Sequence, residues 1–160
     1  MIRVINFYPD TYVIENNRRE ISIISHGGCG YVMIDKKILN PFRFYQYIPR
    51  WKALDQISRL RLIACYSATN IPVRSYWNKG EQSFGAALSS IMHGVTCECY
   101  SGTVMSECDP ELLWPVYQSL GHQKTQEILR QIFTDGVIKN TQNNYQPVTY
   151  LNGVRTNYYP

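Results

Sequence analysis

The sequence predicts an α/β domain with a mainly parallel central sheet and helices packed against it. Two observations carry this. Residues 21–25 and 60–64 are compact apolar runs, too short for helices and each ending abruptly at a chemically reactive residue. Amphipathic stretches of helical period lie between and after them. The 160 residues are 44% hydrophobic and 18% charged, enough apolar material for one packed core and too little charge for a disordered chain.

In chain order, residues 2–8 read as a strand closed by Pro9 and Asp10, and residues 15–20 as a polar connection. Residues 21–25 form the first buried strand and stop at His26-Gly27-Gly28. Residues 31–34 and 37–39 predict a small hairpin turning at Asp35 and Lys36. Pro41 opens a helix to about Ile48, and Pro49 separates it from a second helix over 51–58. Residues 60–64 are the second buried strand and stop at Cys65, followed by a polar loop over 67–82. Ser83 begins an amphipathic helix with Phe84, Ala87, Leu88 and Ile91 on one face and Gly94 as its stop. Residues 95–100 alternate as a strand does, and Ser101-Gly102 ends it. Helices follow over 111–120, with Pro115 as a kink, and over 124–133, ended by Gly136. The single domain spans 1–160. Residues 141–160 read as an irregular tail, save for a hairpin across Asn152-Gly153.

Composition narrows the function classes. The formal charge of +4 is spread over single basic residues, with no dense stripe to track a nucleic-acid backbone, so no nucleic acid is expected. The longest apolar runs are about five residues against the ~20 that span a bilayer, so no membrane span is expected either. Residues 1–8 show neither a basic leader nor an apolar signal core, and no Sec-type signal is expected. Five cysteines, Cys29, Cys65, Cys97, Cys99 and Cys108, are an odd number without a regular framework. They imply a reducing compartment and at least one free thiol in a monomer.

In parallel sheets, functional groups gather at the carboxyl ends of the strands. His26 and Cys65 each follow a buried strand, so neighbouring parallel strands would bring an imidazole and a thiol together. A thiolate attacks acyl carbon, and an imidazole titrating near neutrality assists it and protonates the leaving amine. The glycines Gly27 and Gly28 permit close backbone approach and offer N–H groups to an oxyanion, along with the amide of Cys65.

Strand 21–25 ending in His26-Gly27, and strand 60–64 ending in Ala64-Cys65, together resemble the caspase, gingipain, clostripain and legumain superfamily (clan CD) of cysteine peptidases. The order of histidine before cysteine is the family's. The pair Ser83-Phe84 opening a helix, and the strand ending in Ser101-Gly102, is similar to the self-cleaving peptidase domains of bacterial toxins. The resemblance covers about residues 19–104. It implies a caspase-like three-layer sandwich and a cysteine endopeptidase with catalytic His26 and Cys65. It also implies an oxyanion site at Gly27 or Gly28, and substrate binding by Ser101 and Gly102. The partner would be a protein or peptide substrate, with no cofactor and no metal. The implied setting is secretion by a non-Sec route into a host or target cell, or the cytoplasm. Arg- and Lys-specific members carry an acid two residues before the cysteine. Here Ile63 stands there, so a small or apolar P1 residue is expected.

Plainer readings stand beside this one. Cys65 would also fit as a small buried hydrophobe and His26 as a structural histidine. His93, just before the stop at Gly94, suits the helix C-terminus, His122 lacks an evident partner, and Cys97 with Cys99 does not complete a zinc pattern with Cys29 or Cys108. Residues 80–85 are one residue too long for a lipase-type nucleophile elbow. Tyr145, Tyr150, Tyr158 and Tyr159 in the tail are expected to pack against the sheet. The rival functions are a catalytically inactive interaction module on the same fold, and a thiol acyltransferase using the same dyad.

Overall fold

The computed structural model describes residues 1–70, 83–138 and 146–157. Residues 71–82, most of the expected polar loop, lie outside them, as do Tyr145, Tyr158 and Tyr159. The protein is α/β, with a seven-stranded mixed sheet in the order β1-β2-β3-β7-β8-β9-β10 and a small sheet β4-β5-β6. The strands are β1 (Arg3–Tyr8), β2 (Thr11–Asn17), β3 (Glu20–Ile24), β4 (His26–Gly28), β5 (Tyr31–Ile34) and β6 (Lys37–Leu39). They continue with β7 (Arg59–Ile63), β8 (Thr96–Tyr100), β9 (Pro147–Leu151) and β10 (Val154–Arg155). The helices are α1 (Pro41–Tyr47), α2 (Phe84–Ile91) and α3 (Pro110–Ile132).

The sheet is parallel only at its centre, where β3 pairs with β7 and β7 with β8. The outer pairs are antiparallel, which corrects the expectation of a mainly parallel sheet. The reason is loop length: β1–β2, β2–β3 and β9–β10 are joined by two-residue turns, and a turn that short can only reverse the chain. β2 was unread in the sequence because Thr11, Tyr12, Val13 and Ile14 are all buried, so no polar alternation marks them. The expected polar connection 15–20 is the end of β2, a turn at Arg18-Arg19 and the start of β3.

Strand alternation divides the core in two. Ile21, Ile23, Leu60, Leu62, Cys97 and Cys99 pack with Phe44 and Ile48 of the α1 region and with Phe84 and Leu88 of α2. Tyr12, Ile14, Ile24, Ile63 and Tyr100 pack with Leu113 and Leu129 of α3. Each fully buried Leu or Ile contributes roughly 1.5–3 kcal/mol over its exposed state. Arg61, on the α3 side of β7, is accommodated by charge pairing: Nε donates to Glu98 Oε2 at 2.7 Å, directly across the ladder, and Nη2 donates to the Asp135 carbonyl at 3.0 Å.

Local signals explain most elements. Asn40 caps α1 by accepting from Arg43 N–H, and Pro41 occupies its first turn. Asp35 and Lys36 both hold positive φ in the β5–β6 turn, as a two-residue hairpin requires. The Asp10 carboxylate secures that turn by accepting both amides at 2.8 Å. The hairpin across Asn152-Gly153 is present, so the stretch read as an irregular tail supplies β9 and β10, with Tyr150 buried in the first core. The helix expected over 51–58 is not formed. Residues 48–50 and 54–56 are single 3₁₀ turns, because Ala53 and Ile57 are extended and the chain must enter β7 at once. Trp51 instead buries its ring and donates Nε1–H to Tyr8 Oη at 3.0 Å. The two helices expected over 111–120 and 124–133 lie within α3. The break falls at Gly121 (φ 82°), a conformation glycine tolerates, rather than at Pro115. Among the described residues no helix is long and apolar enough to cross a membrane.

α2 approaches β8 so closely that a Cβ on Gly85 would stand 2.4 Å from Cys99 Sγ and 3.0 Å from the Tyr150 ring. Gly85→Ala is therefore expected to destabilise the fold by ~1–3 kcal/mol through overpacking, measured as a lowered urea midpoint with unchanged slope. An unchanged midpoint would show that α2 can retreat freely.

Candidate functional site

The parallel pairing of β3 with β7 places the site. Ile24 stands opposite Ile63, and Ser25 N–H continues the ladder by donating to Ile63 O at 3.1 Å. Ile24 and Ile63 both face α3. Two residues further along each strand come His26 and Cys65, and a side-chain period of two returns both to that face. Gly27 fixes the approach: a Cβ there would meet Cys65 O at 2.7 Å and Ala64 Cβ at 3.2 Å, so only glycine lets the two strand ends lie this close. Gly28, paired with Tyr31, is buried beneath the Tyr31 ring. After Cys65, Tyr66 adopts a left-handed conformation (φ 61°) and turns the chain out of the sheet. Such a conformation costs of the order of 1 kcal/mol, offset here by the Tyr66 N–H bond to Gly102 O at 2.6 Å. Ser101-Gly102 is thus tied to the turn behind Cys65 through the Gly102 backbone but is not among the residues lining the cleft; Gly102 N–H also donates to Thr69 Oγ1 at 2.8 Å.

His26 and Cys65 line one cleft of about 320 Å³ with Ser25, Val104, Glu107 and Asp109. The Cys65 thiol donates to Val104 O at 3.4 Å, and Val104 N–H points back to the sulfur at 3.5 Å. The imidazole is engaged from the other side. His26 Nε2 lies 3.3 Å from Glu111 Oε1 and 3.7 Å from Asp109 Oδ1, within ion-pair distance. It is screened from solvent but off the angle of a hydrogen bond. The three side chains are 42–64% exposed, so the pairing adds little to stability and acts chiefly on the ring's orientation.

The acidic pair comes from the start of α3. Asp109 is the helix cap, its carboxylate accepting from Glu111 N–H at 2.8 Å, and Pro110 fills the first turn. Negative charge suits this end of the helix dipole. The sequence reading missed both residues as site groups. The Asp-Pro-Glu start signal was legible, but nothing local tied it to His26, which lies more than 80 residues earlier. The cleft wall before it is held by Glu107. Its carboxylate accepts the Thr134 hydroxyl and the N–H groups of Thr134, Asp135 and Gly136. Ile138 N–H to Met105 O at 2.8 Å ties the same two segments together.

The remaining thiols and imidazoles have other roles. Burial pushes the Cys97 thiol up to about 12 and Cys99 well above its ordinary value, which makes both inert at neutral pH. Cys108 is raised by burial and then by Asp109, and Cys29 is exposed outside the cleft lining. His122 bonds Val4 O through Nε2 at 2.9 Å and packs edge-on to Phe7. His93 is exposed beyond α2. A second cleft of about 330 Å³ is lined by Arg59, Arg61, Glu98 and Asp135, but those charges are paired with one another.

Comparison with protein-family models, curated proteins and solved structures finds no match to this chain.

Glu107 is held below the ordinary carboxylate range. Burial pushes it up, but the Thr134 hydroxyl and the N–H groups of Gly136, Asp135 and Thr134 outweigh that. A depressed folded value means the stabilisation is full above the unfolded value of ~4.3 and is lost as pH falls through the folded one. Glu107→Gln should therefore cost ~1.5–3 kcal/mol at neutral pH, and the difference from wild type should shrink in acid. Urea unfolding of both chains from neutral to acid pH measures this. A pH-independent difference would assign the effect to shape rather than charge.

Proposed function

We propose that this protein is a cysteine endopeptidase of the caspase-like type, with Cys65 as nucleophile and His26 as acid–base partner. The observation that carries the reading is the placement of both side chains beyond in-register parallel strands, on one sheet face and in one cleft. The finer fold reading, a caspase-like three-layer sandwich, belongs to this proposal. Its support is the parallel centre β3-β7-β8 and the two cores on opposite faces of the sheet.

In the proposed reaction, the Cys65 thiol gives its proton to His26, its sulfur forms a bond to the scissile carbonyl carbon, and the carbonyl π pair moves to oxygen. The N–H groups of Gly27 and of Cys65 receive that oxyanion, since Gly28 is covered by the Tyr31 ring. Collapse breaks the C–N bond, and the amine leaves with a proton from His26. Water, deprotonated by His26, then hydrolyses the thioester and releases Cys65. With Nε2 turned to Glu111 and Asp109, Nδ1 is the ring nitrogen left for the substrate. Ser101-Gly102, bonded to the turn behind Cys65, is assigned to the substrate-binding rim. The substrate is a protein or peptide, with a small or apolar P1 residue.

One observation favours a second reading, an inactive interaction module. The Cys65 thiol is bonded in both directions to Val104 rather than to the histidine. Peptide-library hydrolysis by wild type, Cys65→Ala and His26→Ala separates the two. The peptidase reading expects complete loss in Cys65→Ala and a loss of ~10²–10⁴-fold in His26→Ala, with unchanged unfolding midpoints. Equal turnover in all three chains, or none in any, would remove it. Product transfer to an added amine in place of water would point to acyl transfer by the same dyad.

A further inference from the structure

The cleft presents a donor set that the thiol chemistry leaves unused. His26 Nε2 and single oxygens of Asp109 and Glu111 all lie within 4.8 Å of one another. The His26 separations are 3.3 Å to Glu111 and 3.7 Å to Asp109. Zinc binds nitrogen and oxygen at ~2.0–2.1 Å, and a tetrahedron of that size has edges of ~3.4 Å. The two separations from His26 Nε2 are close to such an edge, and the two carboxylate oxygens lie within 4.8 Å of each other.

A second, independent feature points the same way. Ser25 lines the same cleft, is 8% exposed, and its buried hydroxyl has no hydrogen-bond partner. His26 Nε2 is likewise buried without a hydrogen bond. Unsatisfied polar atoms in a buried position are costly unless something else bonds them.

We propose that His26, Asp109 and Glu111 form a binding site for a divalent cation of the zinc class, with the remaining position left to water. The mixed imidazole and carboxylate set suits zinc better than calcium or magnesium, which take oxygen ligands. Two carboxylates balance the cation's charge. The α3 dipole opposes it, but with only about half an elementary charge. The site couples to chemistry through His26. A cation on Nε2 fixes the ring and removes it from proton transfer, so occupancy silences the thiol. That consequence rests on the peptidase reading, whereas the binding itself does not.

The test is calorimetric titration of Zn²⁺, with Co²⁺ absorption in parallel, into the full chain carrying Cys65→Ser. One equivalent should bind, with visible Co²⁺ bands and no thiolate charge-transfer band. Glu111→Gln, Asp109→Asn and His26→Ala should each weaken it by at least about tenfold. Asparagine still caps a helix and glutamine keeps the shape of glutamate, so those two variants should keep the fold. No saturable uptake, uptake indifferent to the three substitutions, or a thiolate band marking cysteine ligation would overturn the site. In the chain with Cys65 intact, Zn²⁺ should suppress peptide hydrolysis at matching concentrations, and less so in Glu111→Gln. Binding as expected without any hydrolysis would keep the metal site and remove the peptidase reading. Hydrolysis without binding would do the reverse.

Discussion

The in-register parallel pairing of β3 with β7 is the constraint on which the site rests. It aligns Glu20 with Arg59 and Ile24 with Ile63, and the ladder runs on through Ser25 before the strands part. A slip of one residue would send one of His26 and Cys65 to the α2 side of the sheet and leave the other facing α3. Register is protected because both faces are buried: Ile21, Ile23, Leu60 and Leu62 have partners on one side, Ile24 and Ile63 on the other. Gly27 then allows the backbone to pass against the Cys65 carbonyl.

The opposite wall of the cleft comes from a distant part of the chain. Residues 104–109 are clamped to residues 134–138 by the Glu107 carboxylate and by backbone bonds, and Tyr12 Oη donates to Cys108 O at 2.9 Å. These contacts fix where α3 begins, and so where Asp109 and Glu111 stand relative to His26. One imidazole thus sits between two chemistries, a thiol across the cleft and a pair of carboxylates at a helix start. Both the proposed catalysis and the proposed cation site follow from that position.

Elements with strong local chemistry were legible from sequence. The turn at Asp35-Lys36, the helix opening at Pro41, the helix start at Ser83, the stop at Gly94 and the hairpin at Asn152-Gly153 each depend on a few neighbouring residues. Elements whose character depends on distant partners were not. β2 hides its alternation because both its faces are covered, and residues 51–58 form only the single 3₁₀ turn 54–56, with Ala53 and Ile57 extended so that the chain can enter β7. Within the site, His26 and Cys65 were visible because each ends an apolar strand. Asp109 and Glu111 were not, because a helix cap looks the same wherever the helix points.

The order of residues along the chain settled the α/β class, the two buried strands and the reactive residue ending each, since burial pattern and turn chemistry are local properties. Which strands became neighbours, which face the imidazole and thiol share, and which carboxylates meet the ring were set by packing. Those relations join residues many tens of positions apart, and they become fixed only when both faces of the sheet are covered.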